Sequence, residues 1–281
     1  MAITIDSHHH LWQYNEAEYP WISDAMGVLR RDYLPDDLKA NLDKAGVHGT
    51  VVVQARQTLE ETAWLLELAG RSRFIHGVVG WVPLVAPDVS ETLAQHALNP
   101  KLRAVRHVLH DEPNDAYMLR DDFNRGIAGL KGLGLVYDIL IFARHLENTI
   151  TLVDRHPGQP FVVDHIAKPT ITARAFDAVW AEQIRALARR PHVSCKLSGV
   201  VTEVRDPEWT LDLIRPYYET VLDAFGPERL MFGTDWPVCL LRCDYSQWVA
   251  AVRELIASLS ATEQAHVMGL TAARVYGLST T

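Results

Sequence analysis

Ile3-Thr4-Ile5-Asp6-Ser7-His8-His9-His10 is the stretch from which the rest of the chain can be read. Ile3 and Ile5 alternate with polar residues at strand spacing. Side chains two apart on a strand share a face, so His8 and His10 point the same way at the end of the first expected strand. In a (β/α)8 barrel that face is the interior and that end is the catalytic mouth. Two imidazoles aimed at one point can grip a metal ion or polarise a carbonyl.

Runs of the same kind recur along the chain. β-rich stretches fall at 3–9, 49–55, 75–82, 102–109, 135–141, 160–166, 193–198 and 230–235, most of them continuously apolar, as strands buried on both faces require. Helical stretches separate them. Pro35-Asp36-Asp37 opens the first and Gly46 closes it. Others are expected over 60–71, 88–98, 119–132, 145–155, 174–190, 208–225 and 245–259, with a last one at 262–276. Eight βα units without a linker-like tract predict an α/β protein, a single distorted (β/α)8 TIM barrel over residues 1–281. A doubly wound sheet would want a Gly-rich phosphate loop after the first strand, and none is there.

Composition narrows the function classes. Hydrophobic residues are 48% of the chain, enough for a large core. The net charge of −8 and the lack of a basic stripe argue against nucleic acid and anionic membrane as partners. No apolar run approaches the length of a membrane span, and the strand pattern starting at Ile3 leaves no place for a usual signal peptide. Three cysteines, Cys195, Cys239 and Cys243, form no disulfide framework and fit a reducing cytoplasm. Cys239 and Cys243 lack the second pair that a zinc site would need.

Reacting groups in a barrel sit at strand C-termini. There the chain has His8 and His10, Gln54, Trp81, Arg106 and His107, Asp138, Asp164 and His165, Lys196, and Asp235 with Trp236. One strand-end Asp is often only a helix cap. Ionisable groups at this many strand ends call for a site. The long first loop, 11–34, carries Trp12, Tyr14, Tyr19 and Trp21, a candidate pocket wall.

Asp6-Ser7-His8-His9-His10-Leu11-Trp12, Tyr19-Pro20-Trp21, Asp164-His165-Ile166-Ala167-Lys168-Pro169, Cys195-Lys196-Leu197-Ser198-Gly199 and Leu230-Met231-Phe232-Gly233-Thr234-Asp235-Trp236-Pro237-Val238 resemble the amidohydrolase-2 branch of the amidohydrolase superfamily. Within it, the chain is most similar to the sugar lactonases, nearly end to end. The resemblance implies a carboxylic-ester hydrolase that opens an aldonolactone, L-fucono-lactone or a relative such as L-galactono- or D-arabinono-lactone, with a place in sugar catabolism. Its alternatives are a metal-dependent amidohydrolase or decarboxylase of the branch, or a lactonase for L-rhamnono-lactone or a pyrone. Many superfamily members bridge two metals with a carboxylated lysine at the end of strand 4; here Arg106-His107 stand there, which argues against a binuclear centre.

The roles implied are Asp235 as general base on water, with His8, His10 and His165 as hydrogen-bond donors to the carbonyl oxygen. Arg106, His107 and Gln54 are candidates for sugar hydroxyls, and Trp12, Trp21, Trp81 and Trp236 for the face of the ring. No cofactor is implied as required. The alternative is a single divalent ion such as Zn²⁺ on His8, His10, His165 and Asp235. The expected partner is a small-molecule sugar lactone. Homo-oligomerisation stays open, as do the roles of Lys168, Lys196 and Glu203.

Overall fold

Eight parallel strands run in sequence order around one sheet: β1 (Ile5–His9), β2 (Gly49–Val53), β3 (Ile75–Gly80), β4 (Leu102–Val108), β5 (Val136–Leu140), β6 (Phe161–Val163), β7 (Val193–Leu197) and β8 (Leu230–Phe232). The computed structural model describes residues 3–279. A parallel bridge between His9 and Trp236, with Asp235 N–H donating to His8 O at 2.7 Å and His10 N–H to Trp236 O at 2.6 Å, brings the last strand's end back to the first. The (β/α)8 barrel read from the sequence is the observed architecture.

The helices between strands are α1 (Pro35–Ala45), α2 (Leu59–Arg71), α3 (Val89–Ala97), α4 (Asp121–Gly132), α5 (Leu146–Arg155), α6 (Ala178–Ala188), α7 (Leu211–Phe225) and α8 (Tyr245–Leu255). Their termini follow the local chemistry. Gly46 takes a left-handed φ of 65° to end α1, and Thr58, Asp177, Thr210 and Asp244 accept backbone N–H groups at helix starts. Two expectations are corrected. The helix expected from 174 starts only at Ala178, because Asp177 caps it by accepting from Trp180 N at 3.0 Å. The last helix is three short pieces, Ala261–Ala265, His266–Leu270 and Thr271–Val275, the middle one a π-turn. No described helix is long and apolar enough to cross a membrane.

The barrel interior is apolar below and charged above. Ile5, Val51, Val79, Ala104, Val136, Val162 and Met231 form a cluster that Ala272, Ala273, Tyr276 and Leu278 close off. Two residues further along the chain come Arg106 and Asp138 on β4 and β5 and Asp164 just past the end of β6, all buried. The register of β1 against β2 slips between Asp6 and His9. That irregularity explains how Ile5 joins the lower cluster while His8, an odd number of residues on, meets Arg106 and Lys196 in the barrel.

Candidate active site

The end of β1 is fixed from below. Asp6 is buried and accepts from Thr234 N (2.9 Å), Thr234 Oγ1 (2.6 Å), Tyr245 Oη (3.0 Å) and His8 N (3.1 Å). Burial pushes its carboxyl up to about 6, against these hydrogen bonds, which pull it down. The same contacts tie β1 to the turn that carries Asp235. Asp235 itself has φ 59°, a left-handed conformation that a short polar side chain tolerates.

Four side chains then converge. His10 Nε2 is 3.2 Å and His8 Nε2 is 3.7 Å from Asp235 Oδ1, and the two Nε2 atoms are 3.3 Å apart. His165 Nε2 stands 3.9 Å from the same oxygen. Each ring is held by its other nitrogen. His10 Nδ1–H donates to Val53 O at 2.8 Å; His8 Nδ1 lies 3.4 Å from Asp164 Oδ1 and 3.2 Å from Lys196 Nζ; His165 Nδ1 is 2.9 Å from Ser198 Oγ. Gly199 makes room for this: a Cβ there would sit 2.5 Å from His165 Nδ1 and 3.0 Å from Asp235 Oδ2.

Beneath His8 lies a buried ionic layer. Lys196 Nζ is 2.6 Å from Asp138 Oδ2 and 3.0 Å from Asp164 Oδ1, and Arg106 Nη1 donates to Asp164 Oδ2 at 2.9 Å. Tyr276, from the segment closing the barrel floor, donates its hydroxyl to Asp138, 2.8 Å from Oδ2. Burial pushes Asp138 up to about 6 against the pull of Lys196. Burial acts on Asp164 too, but Lys196, His8 and Arg106 outweigh it and hold that carboxyl well below its usual range.

These surroundings set the protonation of the converging groups. Burial lowers His8 well below the ordinary histidine range and takes His165 down to about 4, so both rings are neutral near pH 7. For Asp235, burial favours the acid, but the neighbouring His165 and the hydrogen bond with His10 prevail and keep it ionised, below the ordinary carboxylate range.

This donor set suits a metal ion. His10 Nδ1 faces a carbonyl oxygen, which only accepts, while its Nε2 faces a carboxylate oxygen, which also only accepts. A cation among His8, His10 and Asp235 would meet the Nε2 lone pairs and the carboxylate together. The separations of 3.2, 3.3 and 3.7 Å among the three donor atoms are close to the spacing of ligands around a tetrahedral ion. With bonds of about 2.0–2.1 Å that spacing is about 3.3–3.4 Å. The Nδ1 contacts to a carbonyl and a carboxylate are of the kind that fix the orientation of imidazoles toward a metal ion. His8, Asp164 and His165 form a second group of donor atoms within reach of one another.

Above the four lies a cavity of about 710 Å³, lined by His10, His165, Asp235, Arg106, Lys168, Arg56, His110, Trp21, Glu18 and others. A family model described as amidohydrolase matches residues 5–278. The chain belongs to the amidohydrolase family. This amidohydrolase is 44% identical to an L-fucono-1,5-lactonase of Burkholderia multivorans over 290 residues, covering 99% of this chain and 97% of that one. It is 37% identical to an L-fucono-1,5-lactonase of Burkholderia ambifaria, covering 89% and 87%. It also matches the crystal structure of an amidohydrolase from Burkholderia multivorans with bound Zn, at TM-score 0.94 and 44% identity, covering 99% of this chain and 100% of that one.

The strand-end reading brings the catalytic candidates together, whereas most of the sugar-binding candidates fall elsewhere in the amidohydrolase. Arg106 lines the cavity, yet Gln54 takes its Nη2 on both the main-chain oxygen and Oε1, so the two are committed to each other. Gln54, wholly buried, is absent from the cavity wall. His107 turns outward to Glu112 (2.7 Å), receives Trp81 Nε1–H at 3.3 Å and stacks on Tyr117. Trp12 and Trp236 are core residues packed on Tyr33, and only Trp21 of the four tryptophans faces the cavity. The reason is common to all: an aromatic at a strand end is as useful for closing the barrel top as for meeting a ligand. Arg56, His110 and Lys168 are the residues that the binding assignment lacked. Arg56 ends the β2 run and was legible there; His110 lies beyond β4 in a 3-10 turn that no periodicity marks.

Proposed function

We propose that this amidohydrolase is a sugar lactonase that opens an aldonolactone, L-fucono-lactone or a close relative, to the aldonic acid. The observation that carries the reading is one ionised carboxylate, Asp235, ringed by the Nε2 atoms of His8, His10 and His165 on the floor of a cavity roomy enough for a small-molecule lactone. Similarity to two L-fucono-1,5-lactonases over 99% and 89% of the chain supports the substrate class. On this reading residues 1–281 act as one barrel unit on a small molecule.

A lactone is an activated ester, and its opening needs an oriented water, charge stabilisation at the carbonyl oxygen and a proton for the departing ring oxygen. Asp235 stays ionised across the working pH range and is the acceptor for the water's hydrogen. The low basicity that its neighbours impose makes it a positioning carboxylate first and a base second. The donor role expected for His10 meets an obstacle: its Nδ1–H is spent on Val53, which leaves only Nε2 to face the mouth. His8, His10 and Asp235, with His165 beside them, would hold a divalent ion such as Zn²⁺. Such an ion supplies a Lewis acid for the carbonyl oxygen and a more acidic water. Trp21 offers the cavity an apolar wall against the ring, and Glu18 an acceptor for hydroxyls.

The test is initial hydrolysis rates on L-fucono-, L-galactono-, D-arabinono- and L-rhamnono-lactone, followed by acid release, with and without chelator. Turnover with a ranking among the lactones is expected, falling on chelation and returning with Zn²⁺. Turnover untouched by chelator would return the chemistry to Asp235 and the imidazoles alone, as the sequence resemblance implied. No turnover on any lactone would overturn the reading.

A further inference from the structure

Three Lys and Arg side chains line the cavity, and they are not equivalent. Arg106 spends Nη1 on Asp164 and Nη2 on Gln54, which pin its guanidinium in place. Arg56 places Nη1 2.6 Å from Glu18 Oε2. Lys168 has no such commitment. Its ammonium makes no hydrogen bond among the described residues; Glu203 Oε1 is 3.9 Å away, and the Phe142 ring centroid 5.5 Å. An ammonium carries three donors, and a cavity-facing one without acceptors is matched to a ligand's oxygen.

The backbone behind Lys168 is unusual. β6 stops at Val163, short of the expected 166, and residues 165 to 168 take φ values of 53°, 49°, 63° and 47°. Left-handed backbone in four successive non-glycine residues is costly, the more so for a β-branched Ile166 and for Lys168, which precedes Pro169. Trp180 Nε1–H holds the turn by donating to Ile166 O at 2.7 Å, and Lys168 N–H donates to His165 O at 2.8 Å. A regular strand would send side chains 165 and 168 to opposite faces. The left-handed turn delivers both to one cavity.

We propose that Lys168 is a catalytic residue of the lactone hydrolysis: its ammonium holds the ring oxygen and gives it a proton as the acyl carbon–oxygen bond breaks. This rests on the lactonase reading above. Water adds to the carbonyl carbon and its proton goes to Asp235. On collapse the bonding pair stays with the ring oxygen, which takes a proton from Lys168 Nζ; an alkoxide is far more basic than an amine, so the transfer runs downhill. The proton on Asp235 returns to Lys168 through solvent, and one lactone plus one water gives one hydroxy acid. The floor groups serve the water and the carbonyl; Arg56 and Arg106 are each anchored by a partner and keep a buried Nε–H unpartnered, whereas all three ammonium hydrogens of Lys168 are uncommitted among the described residues.

The experiment compares wild type with Lys168→Met, Lys168→Asn and Lys168→Arg on an aldonolactone and on the matching thiolactone, whose thiolate departs without a proton. Asn tolerates left-handed backbone, so that variant guards against a folding failure. The expected result is a kcat loss of about 10²–10³-fold on the oxygen lactone for Met and Asn, with partial recovery in Arg. On the thiolactone the loss is expected to stay within about tenfold, with bound-metal content unchanged. Equal losses on both substrates, or a loss in KM alone, would make Lys168 a binding or structural residue and overturn the proposal. A wild type inert on all lactones would instead overturn the lactonase reading, and this one with it.

Discussion

The two layers of the barrel interior are built by the same strands and differ in everything else. On β4, β5 and β6, Ala104, Val136 and Val162 belong to the apolar lower layer, and Arg106, Asp138 and Asp164, each two residues on, belong to the charged upper one. The period of two keeps all of them facing inward; only depth along the strand changes. The lower layer is stabilised by burial and needs no partners. The upper layer is tolerable only because it balances: Lys196 and Arg106 against Asp138 and Asp164, all buried and in contact. Depth along the strand thus separates what holds the barrel together from what aims His8.

The largest effect expected falls at the mouth. Asp235→Asn keeps a residue that accepts the left-handed φ of 59°. The fold should therefore survive while turnover drops about 10³-fold, measured as kcat beside an unchanged melting profile. Asn at wild-type rates would remove Asp235 from the chemistry.

Lys196→Met strikes the upper layer. It leaves Asp138 and Asp164 without the ammonium between them, 2.6 and 3.0 Å away. A destabilisation of about 3–5 kcal/mol is expected in denaturant melts, together with lost activity, because His8 Nδ1 loses a neighbour.

Met231→Ala strikes the lower layer. It should cost about 2–4 kcal/mol of stability and leave kcat and KM of the folded fraction near wild type. If it lowered kcat as Lys196→Met does, the division between layers would be wrong.

Tyr276→Phe sits at the seam, where a residue of the closing segment reaches Asp138 at 2.8 Å. The expected cost is about 1.5–3 kcal/mol, the value of one hydrogen bond to a charged group, with activity nearly intact.

Much of this site is legible in the sequence. His8 and His10 at strand spacing, and Asp235 after a short apolar run, needed only periodicity and the rule that barrel strands present chemistry at their C-termini. His165 and Lys168 were legible as residue types but not as neighbours, because nothing in Val163-Asp164-His165-Ile166 announces a left-handed turn in place of continued strand. The tryptophans fall away from the cavity for a different reason: Trp12 and Trp236 are large apolar groups at the right end of the barrel and pack into the core, and half-buried Trp81 gives its indole N–H to His107.

The sequence by itself determined the barrel and its eight strands, and the motifs that resemble the amidohydrolases singled out the four groups on its floor. Those depend on local period and on side-chain chemistry, which are properties of neighbours along the chain. The tertiary structure alone decided that Arg106 is spent on Gln54 and Asp164, that Tyr276 supports Asp138 from 138 residues away, and that Lys168 is left with donors to give. Which donor meets which acceptor depends on distance in space, and the chain's order does not encode that distance residue by residue.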